Sequence, residues 1–388
     1  MRWHEKARRR RLGAGSAGAF VGWFVFVGCA GGDLIFLIEP AAQVDQAAAL
    51  AAEREWSNGA VERRFERRFF ADRALHRRDL VRKTQLLLLA GLAAEDLDSD
   101  LAGFALSAAG RAAFREPFEP LMPEFSQVPF GDFASINAVL DESTAAVLLE
   151  PVQGEGGIVV APPDYFSQVR AACDRVGALL IFDEIQTGLG RTGKLWASEH
   201  YGVVPDIMTT AKSLGGSLVP ISATVFSEEL REFLIPNPFI HLSTFGGSDL
   251  ACAVALEVLN VIEDTGLVAH AAAMGDLLFA GLHEIAKDYP EFIADVRGLG
   301  LMVGVEYVED SLGPRMSYHL SQHGVLAIYS GNQPAVMRLM PALVIEEPEV
   351  EFLLDAMSLA LNDLRAGAGP DEATTRARRR PVRDAAKQ

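Results

Sequence analysis

The chain has 388 residues, 49% of them apolar, enough for two α/β domains with sizeable cores. A net charge of −17, from 35 Lys and Arg against 52 Asp and Glu, argues against general nucleic-acid binding, which needs a surplus of basic side chains over phosphates. Three widely spaced cysteines (Cys29, Cys173, Cys252) give neither a disulfide framework nor a zinc cluster, and no metal-binding set is expected.

Residues 1–103 are unlike the rest. Up to Lys83 they carry 16 Lys and Arg against 10 Asp and Glu, so the remainder is more acidic than the whole. The basic start MRWHEKARRRRLG and the apolar run Ala17 to Gly32 have the layout of a signal peptide or membrane anchor within residues 1–38, although Asp33 closes the run short of the ~20 residues a span needs. Glu53 to Lys83 is arginine-dense without an apolar face of clear period. The expectation for 1–103 is an atypical basic and apolar region, disordered or translated from a shifted frame.

From Arg111 the text becomes regular. REPFEPLMPEF is loop-rich because its prolines forbid a long helix. Leu148 to Pro151 ends a buried strand, and Gly154 to Gly157 makes a turn that carries Glu155. Tyr165 to Val176 has apolar positions at helical spacing and leads into the strand-like run Ala178 to Phe182. Asp183 and Glu184 stand where that strand would end, the edge at which open α/β sheets bind ligands. The glycine-punctuated Thr187 to Gly193 then turns, and Met208 to Lys212 leads to the loop SLGG. Arg191 and Lys194 read as structural or solvated. Asp183 and Lys212 would face one pocket.

Ile221 to Phe226 continues the sheet, and Asn237 to Gly247 places Thr244 before paired glycines, where a hydroxyl and backbone N–H groups can meet a phosphate or cap the helix predicted over Asp249 to Glu263. His241 reads as a packed loop histidine. A long amphipathic helix follows at Leu267 to Lys287. Val296 to Glu306 supplies a glycine turn and a strand, Val325 to Tyr329 and Val336 to Met340 two more strands, and Pro348 to Leu364 a closing helix. The domains expected are 104–264, large, and 265–365, a smaller α+β unit, with residues 366–388 a disordered basic tail.

A strand-end acid and a loop lysine facing one pocket suit pyridoxal 5'-phosphate, whose aldehyde takes a lysine amine and whose ring nitrogen takes a carboxylate. Taken alone they equally suit a solvated lysine and a turn-capping aspartate. Four longer stretches decide between these: LLEPVQGEGG (Leu148 to Gly157), FDEIQTGLGRTG (Phe182 to Gly193), TTAKSLGG (Thr209 to Gly216) and STFGGSDLACA (Ser243 to Ala253). In that order they resemble the class III pyridoxal-phosphate-dependent aminotransferases of fold type I. REPFEPLMPEFSQVPFGD, NPFIHLSTFGG and MRLMPALVI resemble the ornithine and putrescine branch.

The resemblance covers about residues 104–364 and implies an α/β fold, a mainly parallel sheet with flanking helices plus a smaller C-terminal α+β domain. It implies Lys212 as the cofactor-holding and catalytic lysine and Asp183 as the partner of the pyridine nitrogen. It also implies Gln186 against the cofactor's 3-oxygen or ring face, and Thr244 on the phosphate of a neighbouring subunit, hence a homodimer with a shared active site. Glu155 would pair with Arg338 until a keto acid frees the arginine. The reaction implied moves an amino group from a diamine, ω-amino acid or amino acid to 2-oxoglutarate. An aminomutase or decarboxylase, or an inactive member that has lost part of the cofactor site, are the alternatives. A cytoplasmic location is implied, with no nucleic acid or membrane as partner. The family's phosphate-cradling loop and aromatic stacking turn find no counterpart in 1–103.

Overall fold

Apolar runs of strand type become the ladder of a five-stranded sheet in the computed structural model, which describes residues 23–26, 106–122, 124–227, 229–230 and 247–367. Its strands are β1 (Trp23–Phe26), β2 (Ala146–Leu149), β5 (Leu179–Asp183), β6 (Ile207–Thr210) and β7 (Ser222–Phe226), in the order β1-β7-β6-β5-β2. The strands β2, β5 and β6 run parallel, and β7 turns antiparallel beside β6 with β1 antiparallel outside it. A small hairpin, β3 (Val152–Gln153) with β4 (Val159–Val160), leaves the end of β2.

The short helices α1 (Ala112–Arg115) and α2 (Phe133–Val139) precede β2, and α3 (Tyr165–Val176) leads into β5. On α3 the buried residues Tyr165, Phe166, Val169, Ala172 and Cys173 recur at the period of one helix face, and Gly177 ends it in the left-handed conformation at φ 77°. That face packs on Leu180 and Phe182 of β5, with Phe166 edge-on to Phe182 at 5.2 Å. Buried Arg170 of α3 is paired at 2.6 Å with Asp206, whose Oδ2 also accepts from the Leu180 N–H at 2.7 Å. One buried charge pair thus fixes helix to sheet beneath the loops.

The second sheet is antiparallel, in the order β10-β11-β9-β8. It is built from β8 (Ile293–Leu299), β9 (Met302–Tyr307), β10 (Ile328–Tyr329) and β11 (Val336–Leu339). Helices α4 (Asp249–Asp264) and α5 (Leu267–Asp288) connect the sheets, and α6 (Leu312–Gln322) and α7 (Glu347–Arg365) cover the second. Helix α7 starts with Pro348 in its first turn and the Glu349 side chain accepting from the Glu346 N–H at 2.9 Å. The N-cap of α4 is Ser248; Thr244 and His241 lie outside the described residues.

Two expectations change here. The glycine-rich run Val296 to Glu306 is a hairpin of two strands rather than a turn and one strand, because Gly298 at φ 136° stays within β8 and only Gly300, at φ 54°, turns the chain. The strand predicted over Val325 to Tyr329 contracts to Ile328–Tyr329, with Leu326 95% exposed at its approach. The basic tail lies outside the described residues, as do 1–103 apart from β1. No helix among the described residues is long and apolar enough to cross a membrane.

Candidate active site

The carboxyl ends of β2, β5 and β6 lie side by side. Register pairs Leu149 with Phe182 and Asp183 with Thr209, so Glu150, Asp183 and Thr209 line one edge. Asp183 Oδ1 accepts from the Ile185 N–H at 2.9 Å and from Thr209 Oγ1 at 3.3 Å. Burial pushes the Asp183 carboxyl above its usual range, and the two hydrogen bonds and Lys212 act in the opposite direction. Its Oδ2 accepts no hydrogen bond among the described residues, which leaves one oxygen of a half-buried acid for a ligand.

The lysine follows β6. Ala211 leaves the strand with φ −159° and ψ −143°, and Lys212 opens a 3-10 turn, Lys212–Gly215, at φ 48°. A non-glycine residue there costs about 1–3 kcal/mol, strain that concentrates where a side chain must be aimed. Lys212 reaches solvent at the open edge, yet enough protein surrounds it for desolvation to lower its amine below the usual value. The carboxylates of Asp183, Glu155 and Glu150 oppose that shift, and Arg338 adds to it.

Glu155 and Arg338 meet across the two sheets. Arg338 on β11 donates to Glu155 Oε1 in a short charge-assisted bond. The Glu155 turn is held on several sides. Gly154 N–H donates to Glu150 Oε2 at 3.0 Å, Ser330 Oγ to Glu155 O at 2.5 Å, and Arg297 of β8 to Gly157 O and Ile158 O at 2.8 and 3.1 Å. Gln186, half-buried, lies with its amide against Gly154: a Cβ there would come within 2.6 Å of Gln186 Oε1. The structure therefore gathers Asp183, Lys212, Gln186, Glu155 and Arg338 around one edge. Thr244 lies outside the described residues.

Two further residues belong to this edge. Thr209 was legible only as a strand residue, and Glu150 only as the end of one. Burial raises the Glu150 carboxyl above its ordinary value, the negative charge of Asp183 adding to the effect. Beneath the edge, Glu184 is 1% exposed and organises the following loop, its oxygens accepting from Thr187 Oγ1, Ala197 N–H and Ser198 N–H at 2.5, 3.0 and 2.8 Å. Arg191 is structural, donating across to Leu301 O and Pro341 O at 3.1 and 2.5 Å.

These residues fit two ends of pyridoxal phosphate. A half-buried carboxylate with an open oxygen suits a protonated ring nitrogen, and a partly desolvated lysine amine suits an aldehyde. Thr244, expected at the phosphate end, falls outside the described residues.

Known proteins resemble this chain over much of its length. The family model described as aminotransferase class-III matches residues 102–361. An uncharacterized aminotransferase from Archaeoglobus fulgidus is 44% identical over 259 residues, covering 67% of this chain and 61% of that protein. A structure of the Toxoplasma gondii ornithine aminotransferase, crystallized in presence of oxidized glutathione and with partial occupancy of PLP at its active site, is 35% identical. It has a TM-score of 0.64 and covers 68% of this chain and 61% of that one. Another ornithine aminotransferase structure, from Toxoplasma gondii ME49, is 26% identical with a TM-score of 0.68, over 94% of this chain and 95% of that one. The chain thus spans 61% of the curated relative it matches.

Proposed function

The chain belongs to the class III aminotransferases, a pyridoxal-phosphate family of fold type I, and on that premise we propose that it moves an amino group from a diamine, ω-amino acid or amino acid of the ornithine or putrescine kind to 2-oxoglutarate. The observation that carries this reading is the meeting of Asp183 and Lys212 at adjoining ends of β5 and β6, with Glu155 and Arg338 facing them. Bound there, pyridoxal phosphate supplies an electron-withdrawing ring that makes the substrate's amine-bearing carbon acidic.

The residues have separate tasks. Asp183 keeps a positive charge on the ring nitrogen, and Thr209 and Ile185 hold its carboxylate in place. Lys212 Nζ would hold the cofactor, and as a free amine it would take the proton from the substrate's amine-bearing carbon. Its lowered basicity favours the uncharged amine that this step needs. Gln186 orients the ring face. Arg338, closed on Glu155 while an amine is bound, opens to grip a carboxylate of the 2-oxo acid, so one site serves both partners. Thr244 of a second copy completes the phosphate site in a homodimer.

The test is an absorption spectrum and an amino-transfer assay with pyridoxal phosphate, putrescine or ornithine, and 2-oxoglutarate. Wild type is expected to show a visible band that shifts with amine, and to form glutamate. Lys212→Ala is expected to show neither, and mixing it with Thr244→Ala restores part of the turnover if two copies share the site. Turnover by Lys212→Ala would overturn the lysine's role, and product without any keto acid would point to a mutase.

A further inference from the structure

The carboxylate of Glu150 takes no part in the scheme above, yet it stands beside Asp183 at the pocket edge. Its Oε2 accepts from the N–H of Gly154 at 3.0 Å, four residues on. Gly154 is the pivot of two other site residues. Its carbonyl receives the N–H groups of Gly157 and Ile158 at 3.2 and 3.4 Å, closing the turn that carries Glu155. The space its missing side chain leaves is filled by the Gln186 amide. Glu150 also lies within the electrostatic reach of Asp183, Lys212 and Glu155.

We propose that Glu150 is a positioning residue of the transfer reaction, whose hydrogen bond to Gly154 sets both the seat of the Gln186 amide and the height of the Glu155 turn opposite Arg338. The inference rests on the aminotransferase reading of this site. It assigns Glu150 an acceptor's task, so an uncharged acceptor of the same length should replace it.

The experiment compares Glu150→Ala, Glu150→Gln and Gly154→Ala with wild type in three measurements. These are the affinity for pyridoxal phosphate by absorbance titration, the KM for 2-oxoglutarate against kcat, and amide exchange of the peptide spanning 150–158 without cofactor. For Glu150→Ala the expected result is affinity weakened about tenfold, the loss typical of one charge-assisted hydrogen bond. Its KM for the diacid should rise more than kcat falls, and exchange across the turn should be faster. Glu150→Gln should stay within about threefold of wild type, since its carbonyl oxygen can accept the same N–H. Gly154→Ala should weaken cofactor affinity while leaving the Glu150 bond in place, because a methyl displaces the Gln186 amide.

Constants for Glu150→Ala equal to wild type would overturn the proposal. So would a Gln variant as impaired as Ala, which would make charge the operative property. An unchanged affinity in Gly154→Ala would refute the Gln186 seat. A wild-type chain that takes up no pyridoxal phosphate would sink the functional reading instead. Exchange in the 150–158 peptide would then still decide whether Glu150 anchors the turn.

Discussion

Lys212 is held at φ 48°, a region that glycine occupies freely and a lysine does not. Among the described residues its side chain makes no hydrogen bond that offsets the backbone cost. Lys212→Gly should therefore be more stable than Lys212→Ala by about 1 kcal/mol, or some 2–4 °C in Tm, with both lacking the cofactor band. Equal melting points would show that the turn relaxes once the lysine is gone. Glu184 makes a second test at this scale. Burial raises its carboxyl above the ordinary 4.5, so the folded state holds its proton more tightly than the unfolded state. Its contribution is greatest below pH 4.5 and falls as pH rises through the raised value. Urea midpoints at acid and neutral pH should show wild type losing stability over that window relative to Glu184→Gln, which has no proton to lose; parallel pH profiles would refute it. Asp183, Lys212 and Glu155 were legible because their motifs stand in a fixed order. Glu150 was not, because a glutamate before a proline at a strand end reads the same whether water or a neighbouring acid lies beyond it.

Helices were the most legible elements. The apolar spacing of Tyr165–Val176, Leu267–Asp288 and Glu347–Arg365 marks one buried face each, and the expected ends fall within a residue or two of those observed. The bounds of short strands were less so: Ile328–Tyr329 was expected to start at Val325, since so short a run carries little period and its pairing with β11 is a long-range event. Equally hidden was the close approach of α5, the β8–β9 turn and the loop after β5. A Cβ on Gly275 of α5 would come within 2.5 Å of the Gly300 carbonyl, and one on Gly300 within 2.4 Å of the Thr192 carbonyl carbon. On sequence alone Gly275 looks like a weak point in a helix. Gly275→Ala, which would stabilise an exposed helix, is expected here to destabilise by about 1–3 kcal/mol through overpacking against backbone. A raised denaturation midpoint would show that the contact can open.

At the scale of the molecule, burial falls into separate clusters. One, from Ala271 to Leu364, is drawn from α5, the second sheet, α6, α7 and the turns between them. Two others lie around the first sheet, and a small one of Val152, Ile158 and Met302 joins the two halves. If the boundary expected at 264/265 is a domain boundary, residues 265–365 should fold alone and melt cooperatively by circular dichroism. A fragment with no cooperative transition would make the second sheet an appendage of the first. The acidic balance of the chain beyond residue 83 would keep that fragment apart from copies of itself.

Where Gly193, Gly300 and Gly275 meet, the halves approach at main chain, with the Ala272 Cα of α5 within 3.1 Å of where a Gly193 Cβ would stand. Main chain is the same in every sequence, so such a joint is a standard fitting. A C-terminal segment from a relative with glycine at the positions of Gly275 and Gly300 should seat on this chain's N-terminal portion without refitting. Arg338 would travel with the exchanged part and Lys212 would stay behind, so recombination would vary the two sides of the site separately, leaving the lysine and its acid untouched.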